Sequence, residues 1–162
     1  MLFRSPIVQG KRYTLVIDTE WPDAQGRPMK EGFRRQFFAQ PPERRAVDLK
    51  TWSLRPPRAG TAEALEILFP RPMDRALLDR LIAVLDATGH ALPGLVHVDR
   101  EETRWRFTPR RPWTAGVYRL RVETALEDVA GNKVDLPFDV DKFERVESKI
   151  RSKTKTLPFT VK

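Results

Sequence analysis

The chain of 162 residues has no cysteine. That excludes a disulfide framework, a thiolate zinc site and a cysteine nucleophile, though it does not fix the compartment. There are only two histidines, too few for a histidine-built metal centre. No apolar run approaches the roughly 18 residues of a membrane helix. Neither a glycine-rich phosphate loop nor a GxSxG elbow occurs. The opening MLFRSP is too short for a signal peptide and is set aside from fold reasoning as a scar. What remains is 40% apolar, enough for one sizeable core, with fourteen prolines and eight glycines. That composition argues against collagen-like and wholly disordered chains.

The net charge of +8 is unevenly spread. Residues 1–50 carry +4, 51–143 are neutral, and 144–162 carry +4. The densest basic run is Lys149, Arg151, Lys153 and Lys155, whose spacing puts them on one face of an extended strand. They are the candidate polyanion contacts, against the plainer reading of a solvated face. No aromatic and basic interleaving of a nucleic-acid module is present, so nucleic acid is not an expected partner.

The chain repeats itself. YTLVIDTEWPDAQGRPMKEGF at 13–33 aligns without a gap on YRLRVETALEDVAGNKVDLPF at 118–138, displaced by 105 positions. Tyr13, Leu15, Thr19, Asp23, Gly26 and Phe33 face Tyr118, Leu120, Thr124, Asp128, Gly131 and Phe138. The matches fall where residues pack or turn. A displacement of this size is about one small β-domain. The expectation is therefore a remnant of an upstream repeat at 1–38, a linker at 39–50, a complete domain at 51–143 and a basic strand or tail at 144–162. The chain then reads as a fragment of a longer multi-repeat protein.

Strict alternation in VYRLRVET at 117–124, and shorter alternation in 13–17, 65–69, 94–99 and 103–108, predict half-buried strands. A further strand is expected over Val134–Asp141. Residues 74–80 predict one or two helical turns capped by Asp74, followed by a strand, with a continuous helix through 85 as the alternative. Short strands separated by turn signals predict an all-β sandwich of about seven strands. The expected core is Trp52, Leu54, Leu65, Ile67, Phe69, Ile82, Val84, Trp105, Phe107, Tyr118, Leu120, Val122, Val134 and Phe138. The tail is expected to pair with the open edge of the N-terminal hairpin at 13–38, burying Phe159, its rival being a basic tail without pairing.

RPPRAGTAEALEILFPRPMD at 55–74 and FTPRRPWTAGVYRLRVETALEDVAGN at 107–132 resemble the opening strands and closing hairpin of the bacterial Ig-like domain of the S-layer-protein type. The resemblance covers about 52–141. Upstream, Asp23, Ala24 and Gly26 keep part of the same turn, with Arg27 in place of asparagine. It implies a β-sandwich module repeated in exported bacterial proteins, periplasmic or on the cell surface. Its expected partners are neighbouring repeats of the same chain. It implies no catalytic residues and no cofactor. Tyr118 falls where such sandwiches place a corner tyrosine.

Other candidates each have a plainer reading. His90 in a turn and His97 on a strand read as surface histidines. Asp99, Glu101 and Glu102, interleaved with Arg100 and Arg104, read as surface ion pairs. Glu127, Asp128 and Asn132 could present oxygens to calcium. More simply, Asp128 bonds the turn's own amides, and Gly131 and Asn132 supply its dihedrals. Trp21 and Trp113 could stack on sugars, but core or rim packing is the first expectation. A structural module is thus the leading reading, a binding module for carbohydrate or an acidic polymer the alternative, and an enzyme the third.

Overall fold

The structure is a computed structural model that describes residues 7–138 and 153–162. The chain divides into two compact units, Met1–Glu43 and Arg44–Lys162. No helix among the described residues is long and apolar enough to cross a membrane.

The first unit is a hairpin of β1 (Arg12–Ile17) and β2 (Phe33–Phe38). Its antiparallel register pairs Tyr13 with Phe37, Leu15 with Arg35 and Ile17 with Phe33. Residues opposite one another share a face, so these six form one side of the ribbon. Tyr13 and Phe37 stack with ring centroids 5.7 Å apart.

The second unit is all-β apart from one helical turn and one 3₁₀ turn. Its strands are β3 (Ser53–Arg55), β4 (Leu65–Leu68), β5 (Ile82–Leu85), β6 (Gly94–Asp99), β7 (Arg104–Pro109), β8 (Gly116–Glu123) and β9 (Thr154–Val161). They form two antiparallel sheets, β3-β4-β7-β6 and β5-β8-β9. Alternation explains the burial: Leu65, Ile67, Trp105 and Phe107 point inward from one sheet, Ile82, Val84, Tyr118, Leu120 and Val122 from the other. All belong to one core cluster, so the sheets bury their apolar faces together in a sandwich.

The short helix α1 (Arg75–Leu78) starts where Asp74 accepts a hydrogen bond from Leu77 N at 3.0 Å. It ends after one turn because Ile82 and Val84 are claimed by β8, where they pair with Val122 and Leu120. The alternative of a helix through 85 is thereby excluded. Trp113 joins the sheets. Its indole N–H donates to Glu63 O at 2.7 Å, and its rings meet Phe107, Tyr118 and Phe159 edge-on. An indole whose one donor is satisfied can be buried at little polar cost.

Five expectations are corrected. The 39–50 segment is not a linker throughout, because Val47 and Leu49 are core residues and Val47 forms a parallel bridge to Val134. The 51–143 stretch is not the whole sandwich, and the C-terminal strand does not pair with the 13–38 hairpin. Instead β9 runs antiparallel along all of β8, from Gly116 opposite Val161 to Glu123 opposite Thr154, and brings Phe159 and Val161 into the core. Edge pairing on β8 satisfies the ladder and buries apolar side chains at once, which an isolated hairpin edge does not offer. The strand expected at Val134–Asp141 is not formed over its described part. Lys133 and Leu136 exchange backbone hydrogen bonds, and Asp135 has φ of 61°, so the chain turns there; residues 139–141 lie outside the described residues. Phe138 is consequently exposed rather than core.

Removing residues 153–162 should abolish the cooperative unfolding transition of the Arg44–Lys162 unit, and Phe159→Ala should cost about 3–4 kcal/mol. Urea denaturation followed by tryptophan fluorescence measures both. An unchanged midpoint for the shortened chain would show that β9 is dispensable to the core.

Candidate functional site

The most highly organised polar site is the turn that follows β8. Asp128 and Asn132 are the only buried polar residues among those described. The turn begins as Leu126 N bonds back to Glu123 O at 3.0 Å. Asp128 Oδ1 then accepts from Ala130 N and Asn132 N, both at 2.9 Å. Asp128 Oδ2 accepts from Asn132 Nδ2 at 2.9 Å and from Arg71 Nε at 2.7 Å. Gly131 N closes on Asp128 O at 3.0 Å, with Gly131 at φ of 83°, a left-handed conformation that costs a side-chain-bearing residue about 1 kcal/mol or more. Asn132 Oδ1 in turn accepts from Phe138 N at 2.8 Å. Asp128 N–H donates to Asn132 O, completing a loop that holds its own shape.

This geometry decides what the carboxylate can do. Both of its oxygens are occupied by N–H donors, one of them a guanidinium. A calcium ion needs those lone pairs and would sit against Arg71. Asp128 therefore serves the turn, joining it to the segment before α1, where Asp74 N also bonds to Glu127 O at 3.0 Å. Among the described residues no group of three or more His, Asp or Glu side chains is placed to hold a metal.

The first unit contains the same turn 105 positions upstream. Trp21 N bonds to Asp18 O at 3.1 Å, as Leu126 N does to Glu123 O. Asp23 Oδ1 accepts from Gln25 N at 2.8 Å and Arg27 N at 2.9 Å. Gly26 N bonds to Asp23 O, Asp23 N to Arg27 O, and Gly26 has φ of 77°. Where Asn132 would donate through its amide, Arg27 Nε donates to Asp23 Oδ2 at 2.9 Å. Those hydrogen bonds from Arg27, the backbone one foremost, lower the Asp23 pKa.

Tyr118 Oη donates to Thr114 O at 3.1 Å and lies 2.9 Å from Thr114 Oγ1, pinning the entry to β8. Tyr13 stands at the equivalent place, and its hydroxyl accepts from Val8 N at 2.7 Å. Of the basic residues marked in the tail, Lys149 and Arg151 lie outside the described residues. Lys153 is exposed just before β9, and Lys155 is ion-paired with Asp135. Lys155 lies on the same face of β9 as Leu157 and Phe159 but remains exposed, at the end of that face away from the buried Phe159 and Val161. Lys155 and Lys133 line an open groove of about 500 Å³, where Lys133 pairs with Glu127 at 3.4 Å.

The outer face of β6 and β7 carries a charge network that sequence reading treated only as loose surface pairs. Asp99 is gripped by Arg104 through Nε and Nη2 at 2.5 and 2.6 Å, and by Arg106 at 2.8 Å. Arg104 also reaches Glu66 on β4 at 3.3 Å, and His97 Nε2 lies 3.4 Å from Asp99. The alternation of Arg104 and Arg106 around Trp105 was the available signal; strand register supplied the rest. His90 belongs to a separate turn, with its amide bonded to Asp86 Oδ1 at 2.9 Å. Trp113 is buried and Trp21 is 67% exposed, so only Trp113 meets the expectation of packing.

Compared with protein-family models, curated proteins and solved structures, the chain finds no match.

Two outcomes follow. Asp128→Ala should destabilise the second unit by about 3 kcal/mol, since it strands buried donors, while millimolar calcium leaves the melting temperature of the unaltered chain unchanged. A calcium-dependent rise lost in Asp128→Ala would reverse the assignment. Asp99 is lowered from 3.8 to about 2, chiefly by its hydrogen bonds to Arg104. A lowered carboxylate stabilises the folded state fully above the unfolded value, and that contribution fades as pH falls through about 2. Carboxyl-carbon NMR should find its midpoint there, and Arg104→Met should move it upward; a midpoint at the ordinary value would dissolve the network.

Proposed function

We propose that this chain is a non-catalytic structural module of Ig-like type, one of at least two tandem copies in an exported multi-repeat bacterial protein. Its task is mechanical. A closed sandwich, sealed by Trp113 and by the β8–β9 ladder, keeps a fixed distance between whatever lies on either side of it. The observation that carries the reading is the recurrence in two units of the chain of one turn, with the same aspartate accepting from the same two backbone amides and the same glycine at positive φ. A turn of this kind is specified by an aspartate and a glycine at set spacing, together with the strand before them. Its recurrence with a Tyr-x-Leu-x-Ile or Tyr-x-Leu-x-Val strand upstream supports duplication of a domain over independent origin. The Ig-like assignment itself rests on the resemblance of 55–74 and 107–132, and export to a periplasm or surface is what that resemblance implies.

The test has two arms. Titrated with soluble glycans and with heparin at about 150 mM salt, where exposed charges are screened beyond about 8 Å, the intact chain should give no saturable heat. Binding of heparin with a steep salt dependence, weakened in the Lys149→Ser, Arg151→Ser double variant, would favour the binding module instead. Pulled from its ends, the chain should release residues 44–162 in one cooperative rupture. Gradual extension without a rupture peak would count against a mechanical role.

A further inference from the structure

Resting on that reading of tandem copies, we infer that one face of the β1–β2 hairpin is a docking face for the apolar side of a second β-sheet, of the chemistry that β3, β4, β7 and β6 present in the other unit. The argument is register. In β8–β9, Tyr118 faces Phe159, Leu120 faces Leu157 and Val122 faces Lys155. In β1–β2, Tyr13 faces Phe37, Leu15 faces Arg35 and Ile17 faces Phe33. The first strands correspond at a displacement of 105 positions and the second strands at 122 (37 to 159, 33 to 155). The hairpins are thus the same ladder, the second with a longer connection between its strands. Their aromatic pairs agree as well: both Tyr–Phe stacks have centroids 5.7 Å apart, at interplanar angles of 21° and 20°.

One difference separates them. In β8–β9 this face is sealed against the opposite sheet, with Leu120 at 0% and Phe159 at 6% exposure. In β1–β2 the corresponding Leu15 and Phe37 are open, at 48% and 39%. The opposite side of the ribbon carries Arg12, Thr14, Arg34 and Gln36, with Val16 and Phe38 among them, and is the more polar of the two. An aromatic and aliphatic face that repeats the Tyr–Phe pair and the central leucine of a core face calls for what covers that core face: inward-pointing side chains of the kind of Leu65, Ile67, Trp105 and Phe107. Arg35, standing where Leu157 stands, is the one position on this face with a charge at its centre. A long arginine stem can cover apolar surface while its guanidinium reaches the rim.

The experiment uses an extended chain in which a second copy of residues 44–115 precedes residue 11, so that β1 follows the added strands as β8 follows the native ones. Residues 44–162 remain intact downstream as an internal reference. The expected result is protection of the β1 and β2 amides by about 100-fold over the unextended chain in hydrogen exchange. Leu15→Asp should cancel that gain without moving the melting of residues 44–162. A second extended chain carrying Arg35→Leu guards against failure from that single charge. If β1 and β2 exchange as in the unextended chain in both versions, the inference is overturned, while the titration and pulling results still judge the tandem-module reading separately. Sedimentation of the unextended chain supplies the remaining outcome. Self-association that shields Leu15 would make a second copy the occupant and would also overturn the inference.

Discussion

The ladder between β8 and β9 is the constraint on which the second unit depends. It pairs residues from Gly116–Val161 to Glu123–Thr154 and closes the smaller sheet. Without it, β8 would be an edge strand with unpaired amides, and the core would lose Phe159 and Val161. Phe159 also packs on both Tyr118 and Trp113, so the ladder anchors the aromatic group that spans the two sheets. A chain segment some 30 positions from β8 in sequence thereby completes a core whose other members are set much earlier in the chain.

The Asp128 turn does a different task with the same economy. It lets the chain leave β8, reverse, and meet Val47 and Arg71 without leaving buried polar atoms unmatched. The upstream turn shows how much of this is local. Asp23 makes the equivalent backbone hydrogen bonds with an exposed arginine in place of a buried asparagine. Turn shape therefore comes from the aspartate and glycine, whereas burial comes from what packs around them. Asn132 is fully buried because it lies between the turn and the following chain, where its amide has a partner at each end.

Charge is distributed by the same logic. The outer face of β6 and β7 converts alternating arginines into a network centred on Asp99, whose carboxylate is held ionised by two guanidinium groups. Of the basic run in the tail, Lys155 alone falls on β9. Lys155 shares its face with Leu157 and ends in an ion pair with Asp135. Of the described members of the basic run, Lys153 is exposed just before β9, whereas Lys155 is drawn into that ion pair.

Much of this was legible in the residues. Period-two alternation marked β4, β6, β7 and β8, and a capping aspartate before a leucine-rich stretch marked α1. The paired DAQGR and DVAGN segments marked the two turns, because those depend on local hydrogen bonds and a positive φ. Pairing was not legible. KTKTLPFTV could serve any open edge, and only the fit of Phe159 and Val161 into the space beside Tyr118 chooses β8. Val47 and Leu49 lie within the 39–50 stretch that reads as linker, yet both are core, and Val47 bridges to Val134 from far along the chain. Phe138, which aligns with Phe33 and looks apolar enough to bury, is carried outward by the turn at Lys133–Leu136. The sequence by itself determined most of the strands and the turn chemistry, which are set by neighbours within a few residues. Strand partners and burial were decided only by tertiary structure, because they depend on which surfaces compete for the same apolar side chains.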